Sequence, residues 1–223
     1  MLVEEDLAKG AAHGDIIVLS IKPQQLVELA KQLAPLLDQH LVVSIAAGIC
    51  ATDIIRWLGG HERVIRVMPN TPSLVGAGVS GLFAAKGTYE QDKQNAETIL
   101  SAVGTVLWVE QEEMLHVVTA ISGSGPAYVF YFIESMQQAG IELGLTAEQA
   151  GQLSLDTFLG ASKLAAQSEE EATTLRARVT SKGGTTEQAI QTMERSDVKD
   201  QIKQAIFAAN KRSRELSEEF SQY

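Results

Sequence analysis

The chain has 223 residues, and 45% of them are hydrophobic, which is enough to bury a core in one or two domains. Its formal net charge of -10 argues against a nucleic-acid partner and against an anionic membrane surface. The N-terminal residues lack the basic and apolar regions of a signal peptide, and no apolar run approaches a membrane span, so the sequence predicts neither.

Cysteine and histidine are few and scattered. The single cysteine, Cys50, excludes an internal disulfide, and its apolar neighbours predict a small buried residue in a reducing, cytoplasmic environment. No cysteine or histidine lies at ligand spacing from another, so no metal site is predicted. The four histidines are His13, His40, His61 and His116.

Residues 15–109 alternate short apolar runs with helical patterns, which is typical of an α/β sheet. The run 15–21 is almost continuously apolar, as in a parallel strand, and Pro23 suits the first position of the helix that follows. Residues 78–85 have a weaker pattern that predicts an edge strand. Thr52 and Thr88 are predicted helix caps. The predicted strands are 15–21, 41–45, 63–68, 78–85 and 105–109.

Beyond residue 110 the pattern predicts helices and no further strand. A Gly-Ser-Gly-Pro hinge at 123–126 precedes a long apolar helix, and a last helix over about 197–220 has one apolar face. Because a small monomer cannot bury so many apolar faces, we expect a helical dimer interface. Capping-box spacing occurs twice, from Thr146 to Gln149 and from Ser168 to Glu171.

These two patterns predict two domains. The first, over residues 1–110, is of the nucleotide-binding α/β type, and the second, over residues 111–223, is all-helical.

A Gly-Gly-Thr-Thr sequence at 183–186 separates two predicted helices. Backbone N–H groups at a helix start, beside glycines that let a ligand approach, form an anion site, and two threonine hydroxyls add donors. The simpler alternative is a glycine stop followed by a threonine cap, and spacing alone leaves both open. A second glycine-rich stretch, 121–128, is typical of a tight turn before a helix.

Short segments at 20–23 and 45–48 follow two of the predicted parallel strands. Open α/β sheets bind their ligands at the carboxyl ends of such strands. The alternatives are a solvated lysine at Lys22 and a closely packed turn at Ala46 and Ala47. The residues alone leave these alternatives open.

Five ordered segments together carry a family resemblance. They are Ser20-Ile21-Lys22-Pro23-Gln24, residues 44–48, residues 66–72, residues 122–128 and residues 179–186. Their order and spacing, from about residue 15 to the C-terminus, resemble those of pyrroline-5-carboxylate reductases. The last segment, with Ala189, Met193 and Glu194 after it, is similar to the signature of that family.

The resemblance implies an α/β plus all-α fold, with an incomplete Rossmann-type NAD(P)-binding domain and a helical dimerisation domain like that of 6-phosphogluconate dehydrogenase. The implied reaction is hydride transfer from NADP(H) or NAD(H) to C5 of 1-pyrroline-5-carboxylate, which gives L-proline and completes proline biosynthesis. It also implies a homodimer through the C-terminal helices, in which cofactor and substrate loop come from different subunits, and which some members extend to a decamer.

The resemblance assigns roles to residues of this chain. The Thr186 hydroxyl is the candidate to hydrogen-bond the ring nitrogen and is the implied catalytic group. Glu112 matches a position that can contact the substrate. The implied carboxylate ligands are Ser181, Gly184, Thr185 and Thr186. The residues implied to flank the ribose and nicotinamide are Ser20, Ile21, Lys22, Pro23, Ile45, Ala46 and Ala47.

Two features depart from the family pattern. Lys182 stands where many members have proline, which loosens that loop. Members begin with a strand, a G-x-G-x-x-G turn and a helix, and residues 1–14 contain no such motif. We therefore expect a truncated nucleotide domain that binds NADPH weakly or not at all, with an unpaired apolar edge at strand 15–21.

Two alternative functions stay open. A 6-phosphogluconate- or hydroxyacid-type dehydrogenase shares the architecture, but it uses a catalytic lysine in the helical domain, and Lys163 lacks the surrounding motif. The non-enzymatic alternative is a helical oligomerisation module that binds partner subunits and catalyses nothing. Oxidation of NADPH in the presence of pyrroline-5-carboxylate distinguishes these from the reductase.

Overall fold

The computed structural model describes residues 3–223. Helices and strands alternate in the first half, as α1 (Leu7–Ala11), β1 (Ile16–Leu19), α2 (Pro23–Leu33), β2 (Leu41–Ser44), α3 (Ala51–Trp57), β3 (Val64–Met68), β4 (Gly78–Ala84), α4 (Glu90–Ser101) and β5 (Gly104–Trp108). The helices that follow are α5 (Met114–Val118), α6 (Gly125–Glu142), α7 (Ala147–Gln167), α8 (Ala172–Arg178), α9 (Thr185–Arg195) and α10 (Val198–Ser221). A π-helical turn, Thr119–Gly123, lies between α5 and α6 and overlaps the predicted hinge at 123–126 only at Gly123, because α6 already begins at Gly125. The five strands confirm the prediction from the apolar runs.

The strands form one sheet in the order β1-β2-β3-β4-β5. β1, β2 and β3 are parallel, β4 is antiparallel to β3, and β5 is parallel to β4. Within the described residues β1 pairs on one side only, so it lies at an edge as expected, and Val18 on it is exposed. Because the first three strands are parallel, their carboxyl ends meet at one edge of the sheet.

The prediction that residues 78–85 form an edge strand was wrong. β4 is paired on both sides, with β3 and with β5. Its glycines weaken the apolar pattern, but one of them is required for packing. A Cβ on Gly81 would lie 2.7 Å from Cγ1 of Val118 in α5. Glycine inside a strand often marks such a close approach.

Apolar side chains cover both faces of the sheet. Successive residues of β2 point to opposite faces, so Val42 packs in a cluster with α2 and α3, whereas Leu41 and Val43 pack in a second cluster with α4. All four residues of β2 are buried. Burial on both faces explains why this strand has no alternation of apolar and polar residues.

The capping box predicted for α7 is confirmed. The N–H of Gln149 donates to Oγ1 of Thr146 over 3.2 Å, and the N–H of Thr146 donates to Oε1 of Gln149 over 3.0 Å. This reciprocal pair satisfies two donors that a helix start leaves without intrahelical partners.

The other capping predictions were wrong. Cys50, and not Thr52, precedes α3. Tyr89 precedes α4 and donates its N–H to Asp92, while the Thr88 hydroxyl donates backwards to the carbonyl of Ala85. Ser168 ends α7, although its spacing to Glu171 predicts a cap for the next helix. Threonine and serine bond equally well to nearby carbonyls and amides, so spacing alone does not identify the cap.

Contacts divide the chain into two compact units. Met1–Pro126 and Ile206–Tyr223 form the first, which we call the sheet unit, and Ala127–Ala205 form the second, which we call the helical unit. The division passes through α10, so the last turns of this helix belong to the sheet unit. The domain boundary near residue 110 stays a prediction.

Candidate functional site

The two predicted cofactor segments, 20–23 and 45–47, lie side by side in the sheet unit. Leu19 is in register with Ser44, and the N–H of Ile45 donates to the carbonyl of Leu19 over 3.2 Å. Both segments therefore leave the sheet at the same carboxyl edge. Ser20, Lys22 and Ala47 are exposed. The structure thus brings these seven residues together at one edge of the sheet, where three of them are open to solvent and Ala46 is buried.

The turn after β2 is held by the C-terminal end of α10. The Ser217 hydroxyl donates to the carbonyl of Gly48 over 2.8 Å, and its Oγ lies 3.2 Å from Sγ of Cys50. Gly48 has φ +78°, and Leu216 and Phe220 fill the space where its Cβ would be. The prediction of a buried Cys50 was wrong, since it is half-buried.

Glu112 lies beneath the same turn and makes two contacts. Its Oε1 accepts from the N–H of Ala51 over 2.6 Å, at the first residue of α3, and lies 2.5 Å from Nη1 of Arg66. Arg66 is buried in β3, and Glu112 is largely covered. This carboxylate therefore caps α3 and neutralises a buried guanidinium. Its predicted contact with substrate stays a prediction.

Two other ionisable groups near Glu112 are perturbed. Burial raises the pKa of Asp53, and the Arg56 guanidinium, 2.9 Å away, opposes that change. Burial lowers the pKa of His116, and the positive charges of Arg214 and Arg66 add to the effect. The His116 ring is therefore a weaker base than a free imidazole. It is held by the Ser213 hydroxyl, 2.9 Å from Nδ1.

The predicted substrate loop, 181–186, connects α8 to α9 in the helical unit. The N–H of Gly184 donates to the carbonyl of Ser181 over 3.0 Å and closes a turn. The N–H of Gly183, which has φ +76°, donates to Oε2 of Glu187 over 2.7 Å. α9 then begins at Thr185, and Gly184 stands at the cap position, so the alternative of a threonine cap was wrong.

This arrangement determines which donors the loop can offer to an anion. The N–H groups of Gly183 and Gly184 are used within the loop. Those of Thr185 and Thr186 are the first two of α9, where a helix has no intrahelical acceptor for them. Ser181 and Thr185 are exposed and Thr186 is half-buried. The loop therefore offers two backbone donors and three hydroxyls at the positive end of a helix.

The candidate site residues thus fall into two groups, one in each unit. Residues 20–23, residues 45–47 and Glu112 belong to the sheet unit, and Ser181, Gly184, Thr185 and Thr186 belong to the helical unit. Sequence reasoning missed Ser217, which no local signal reveals. It also missed Glu187, although an acid in the first turn of a helix after two glycines is a usable signal.

Two other features are absent from the described residues. No group of three or more His, Cys, Asp or Glu side chains among them could hold a metal ion. None of their helices combines the length and the apolar character needed to cross a membrane.

The sheet-unit segments fit the ribose and nicotinamide end of a dinucleotide. Ala46 and Ala47 carry no side chain beyond Cβ, so a flat ring can approach the backbone between β2 and Gly48. The hydroxyl of Ser20 and the backbone of both segments supply polar groups at the strand ends, where open α/β sheets bind nucleotides.

Comparison with known families agrees with this geometry. Residues 2–48 match a family described as NADP oxidoreductase, coenzyme F420-dependent, and residues 112–216 match one described as pyrroline-5-carboxylate reductase dimerisation. With the mixed five-stranded sheet, these matches define the class as oxidoreductases that have a Rossmann-type nucleotide domain and a helical dimerisation domain.

Individual relatives identify the family within that class. The pyrroline-5-carboxylate reductase of Pseudomonas aeruginosa is 45% identical over 221 residues, which are 99% of this chain and 81% of the relative. The Vibrio alginolyticus reductase is 42% identical over 96% of this chain and 80% of its own length. The chain belongs to the pyrroline-5-carboxylate reductase family.

Solved structures agree with this assignment. A pyrroline-5-carboxylate reductase from Coxiella burnetii has a TM-score of 0.91 and 42% identity, over 96% of this chain and 80% of that one. The Plasmodium falciparum reductase, solved with NADP bound, has a TM-score of 0.89 and 31% identity, over 96% of this chain and 81% of that one. The dehydrogenase alternative is therefore not supported.

Proposed function

We propose that the chain reduces 1-pyrroline-5-carboxylate to L-proline with NADPH or NADH. The observation that carries the proposal is the start of α9 in a chain of this family. There, the N–H groups of Thr185 and Thr186 have no intrahelical acceptor, and together with the hydroxyls of Ser181, Thr185 and Thr186 they are donors suited to one carboxylate. The substrate has one carboxylate and a cyclic imine on a five-membered ring, so a single anion site orients the reacting carbon.

The carboxylate is held by the loop. The N–H groups of Thr185 and Thr186 point along the axis of α9, and the helix dipole favours a negative charge there. The Ser181 hydroxyl, on the other side of the turn, is the third donor. Holding the ring in one orientation makes the reaction between substrate and cofactor effectively unimolecular. Such positioning supplies most of the acceleration in a reaction of this kind.

The Thr186 hydroxyl is the proposed hydrogen-bond partner of the imine nitrogen. The imine carbon accepts hydride most readily when the nitrogen carries a proton, which solvent supplies. A hydroxyl that accepts a hydrogen bond from this protonated nitrogen favours the iminium form and holds C5 in position. After transfer, the C=N π electrons reside on nitrogen, and the product is the secondary amine of proline.

Segments 20–23 and 45–47 would hold the cofactor. When bound, NADP(H) supplies the hydride and leaves oxidised by two electrons. The backbone of these two segments would position the ribose and nicotinamide, and the small side chains of Ala46 and Ala47 allow close approach. Ser217 and Glu112 fix the turn that carries them.

The test is consumption of NADPH by the 223-residue chain with pyrroline-5-carboxylate, together with detection of L-proline. Calorimetric titration with NADPH measures cofactor binding separately. A chain that binds NADPH but does not oxidise it with this substrate contradicts the proposed reaction. Tight NADPH binding contradicts the expectation of a weakened nucleotide site.

We propose that the chain forms a homodimer through its helical unit. Residues 112–216 match the dimerisation family. In the isolated chain, large apolar side chains of α6 and α7 are exposed, including Tyr131 at 69%, Leu155 at 54% and Leu159 at 51%. Such a surface on a single chain marks an interface. Sedimentation of the unchanged chain decides between a dimer and a decamer.

Replacing both Leu155 and Leu159 with Glu is expected to convert the oligomer to a monomer of 24.0 kDa. The two positions are four apart on α7 and share one face. Burying two unpaired carboxylates costs several kcal/mol, roughly the strength of a moderate interface. Ile99→Glu on α4, also at an exposed apolar residue, is the control. An unchanged sedimentation coefficient in the double variant contradicts this interface.

Localisation in the cytoplasm is also proposed. Its support is the single free cysteine, Cys50, which leaves the chain without disulfide stabilisation. A cell fractionation experiment in the source organism tests it.

A further inference from the structure

We propose that Glu187 is a positioning residue for the substrate. Its carboxylate anchors the turn at Lys182 and Gly183 and so presents the Thr185 and Thr186 N–H groups to the substrate carboxylate. This inference rests on the proposed function of loop 181–186. Glu187 itself makes no contact with the reacting atoms.

The anchor is one short hydrogen bond to an ionised acceptor. The Gly183 N–H donates to Oε2 of Glu187 over 2.7 Å. Hydrogen bonds to charged groups are shorter and stronger than neutral ones. Glu187 is half-buried and lies in the first turn of α9, where the helix dipole also favours its charge. The bond therefore connects the loop to the helix that carries the anion site.

Gly183 needs the restraint that its hydrogen bond to Glu187 provides. Gly183 has φ +76° and open space around its Cβ position, so neither its own side chain nor neighbouring atoms fix its conformation. Glycine has the greatest backbone freedom of any residue, and this freedom is lost when the loop orders. Lys182 before it is exposed. Without the bond to Glu187, only the bond between Gly184 and Ser181 would restrain the turn, and the substrate would have to order the remainder.

The bond also separates the donors of the loop into two sets. Gly183 donates to Glu187, and Gly184 donates to the Ser181 carbonyl over 3.0 Å. Gln188 donates to the carbonyl of Gly184 over 3.3 Å, which starts the helical bonding of α9. The N–H groups of Thr185 and Thr186 stand between these bonds. The anchor thus directs the substrate carboxylate to those two groups.

A competing interpretation makes a different prediction. If the Glu187 carboxylate only occupied a donor that the substrate takes over, its negative charge would repel the substrate carboxylate. Removing the charge would then tighten substrate binding whether or not the hydrogen-bond acceptor remained. If Glu187 is an anchor, the acceptor oxygen matters more than the charge.

The experiment compares Glu187→Ala with Glu187→Gln. We expect Glu187→Ala to raise the KM for pyrroline-5-carboxylate by about tenfold, the effect of losing one hydrogen bond to a charged group. The amide oxygen of Glu187→Gln can still accept from Gly183, so its KM should stay within about threefold. The KM for NADPH and kcat should change little in both. Calorimetric titration with L-proline repeats the comparison without hydride transfer.

Glu194→Ala, on the same helix, is the matched control. Glu194 is exposed and lies 3.9 Å from Arg176, so its removal should leave all constants unchanged. The anchor is overturned if Glu187→Ala behaves like this control, or if both Glu187 variants lower the KM. Thr186→Val in the same assay tests the loop itself. If that variant is also unaffected, the proposed substrate site fails, and the anchor fails with it.

Discussion

Replacing Glu112 with Ala is expected to lower the free energy of unfolding of the sheet unit by about 3 kcal/mol. The substitution leaves the Arg66 guanidinium, whose side chain is only 6% exposed, without the carboxylate that lies 2.5 Å from it. It also leaves the N–H of Ala51 without its acceptor at the start of α3. The Glu112 side chain is 20% exposed, so water can partly replace its carboxylate beside Arg66. We therefore expect the lower end of the destabilisation that follows when one partner of a buried ion pair is removed.

Tryptophan fluorescence during urea unfolding measures this change. Trp57 and Trp108 both belong to the sheet unit and are the only tryptophans of the chain, so their signal reports that unit alone. Glu112→Gln keeps an acceptor oxygen and should cost about 1 kcal/mol. The neighbouring Glu113 is exposed, and Glu113→Ala should cost less than about 0.5 kcal/mol. Equal effects of Glu112→Ala and Glu113→Ala would show that the ion pair of Glu112 with Arg66 contributes nothing to the free energy of unfolding.

The same variants test the implied contact between Glu112 and substrate. If the Glu112 carboxylate only holds Ala51 and Arg66 in place, Glu112→Gln should leave the KM for pyrroline-5-carboxylate unchanged. The same variant should lower the free energy of unfolding slightly. A KM that rises in Glu112→Gln, with stability nearly intact, would instead support a direct contact.

The strands could be predicted because each is a short apolar run, and such runs result from burial on both faces of the sheet. Their order could not be predicted from the same signal. Nothing in residues 78–85 indicates a partner on each side, since Gly78 and Gly81 reduce the apolar pattern that identifies an interior strand. Gly81 is explained only by the approach of Val118 in the folded chain, and Gly78 only by the approach of Ser73.

The segments of the candidate site could be predicted for a similar reason. Segments 20–23 and 45–47 follow strands, and loop 181–186 contains adjacent glycines, so each has a local signal. The atoms that hold them could not be predicted, because they come from distant parts of the chain. Ser217 bonds the turn at Gly48 from 169 residues away, and Glu112 bonds Ala51 from 61 residues away. A serine between the apolar residues Leu216 and Phe220 of α10 gives no sign of such a contact.

The loop in the helical unit is a partial exception. Glu187 is only four residues from Gly183, and an acid at the start of a helix is a recognised pattern. The sequence could not establish which N–H group would donate to the Glu187 carboxylate. The same carboxylate could equally have accepted from the N–H groups of α9, and it would then have occupied the N–H groups of Thr185 and Thr186 that we propose for the substrate carboxylate.

Replacing Thr186 with Val is expected to lower kcat/KM for pyrroline-5-carboxylate by about 100-fold, the usual effect of removing one oriented hydrogen-bonding group from a transition state. Valine keeps the branched shape of threonine and has a similar helix propensity, so α9 should still begin at residue 185. Only the hydroxyl is lost. Because the proposed partner of that hydroxyl is the ring nitrogen and not the dinucleotide, the KM for NADPH should not change.

Two further variants separate this effect from general damage to the helix. Thr192→Val removes the hydroxyl of another threonine of α9, which donates to the carbonyl of Gln188 over 2.9 Å within the helix. This variant should leave kcat/KM nearly unchanged. Thr186→Ser retains a hydroxyl and should recover most of the activity. A Thr186→Val variant with near-normal kcat/KM would exclude its hydroxyl from the reaction. The remaining donors, Ser181 and the N–H groups of Thr185 and Thr186, would then act only by holding the carboxylate.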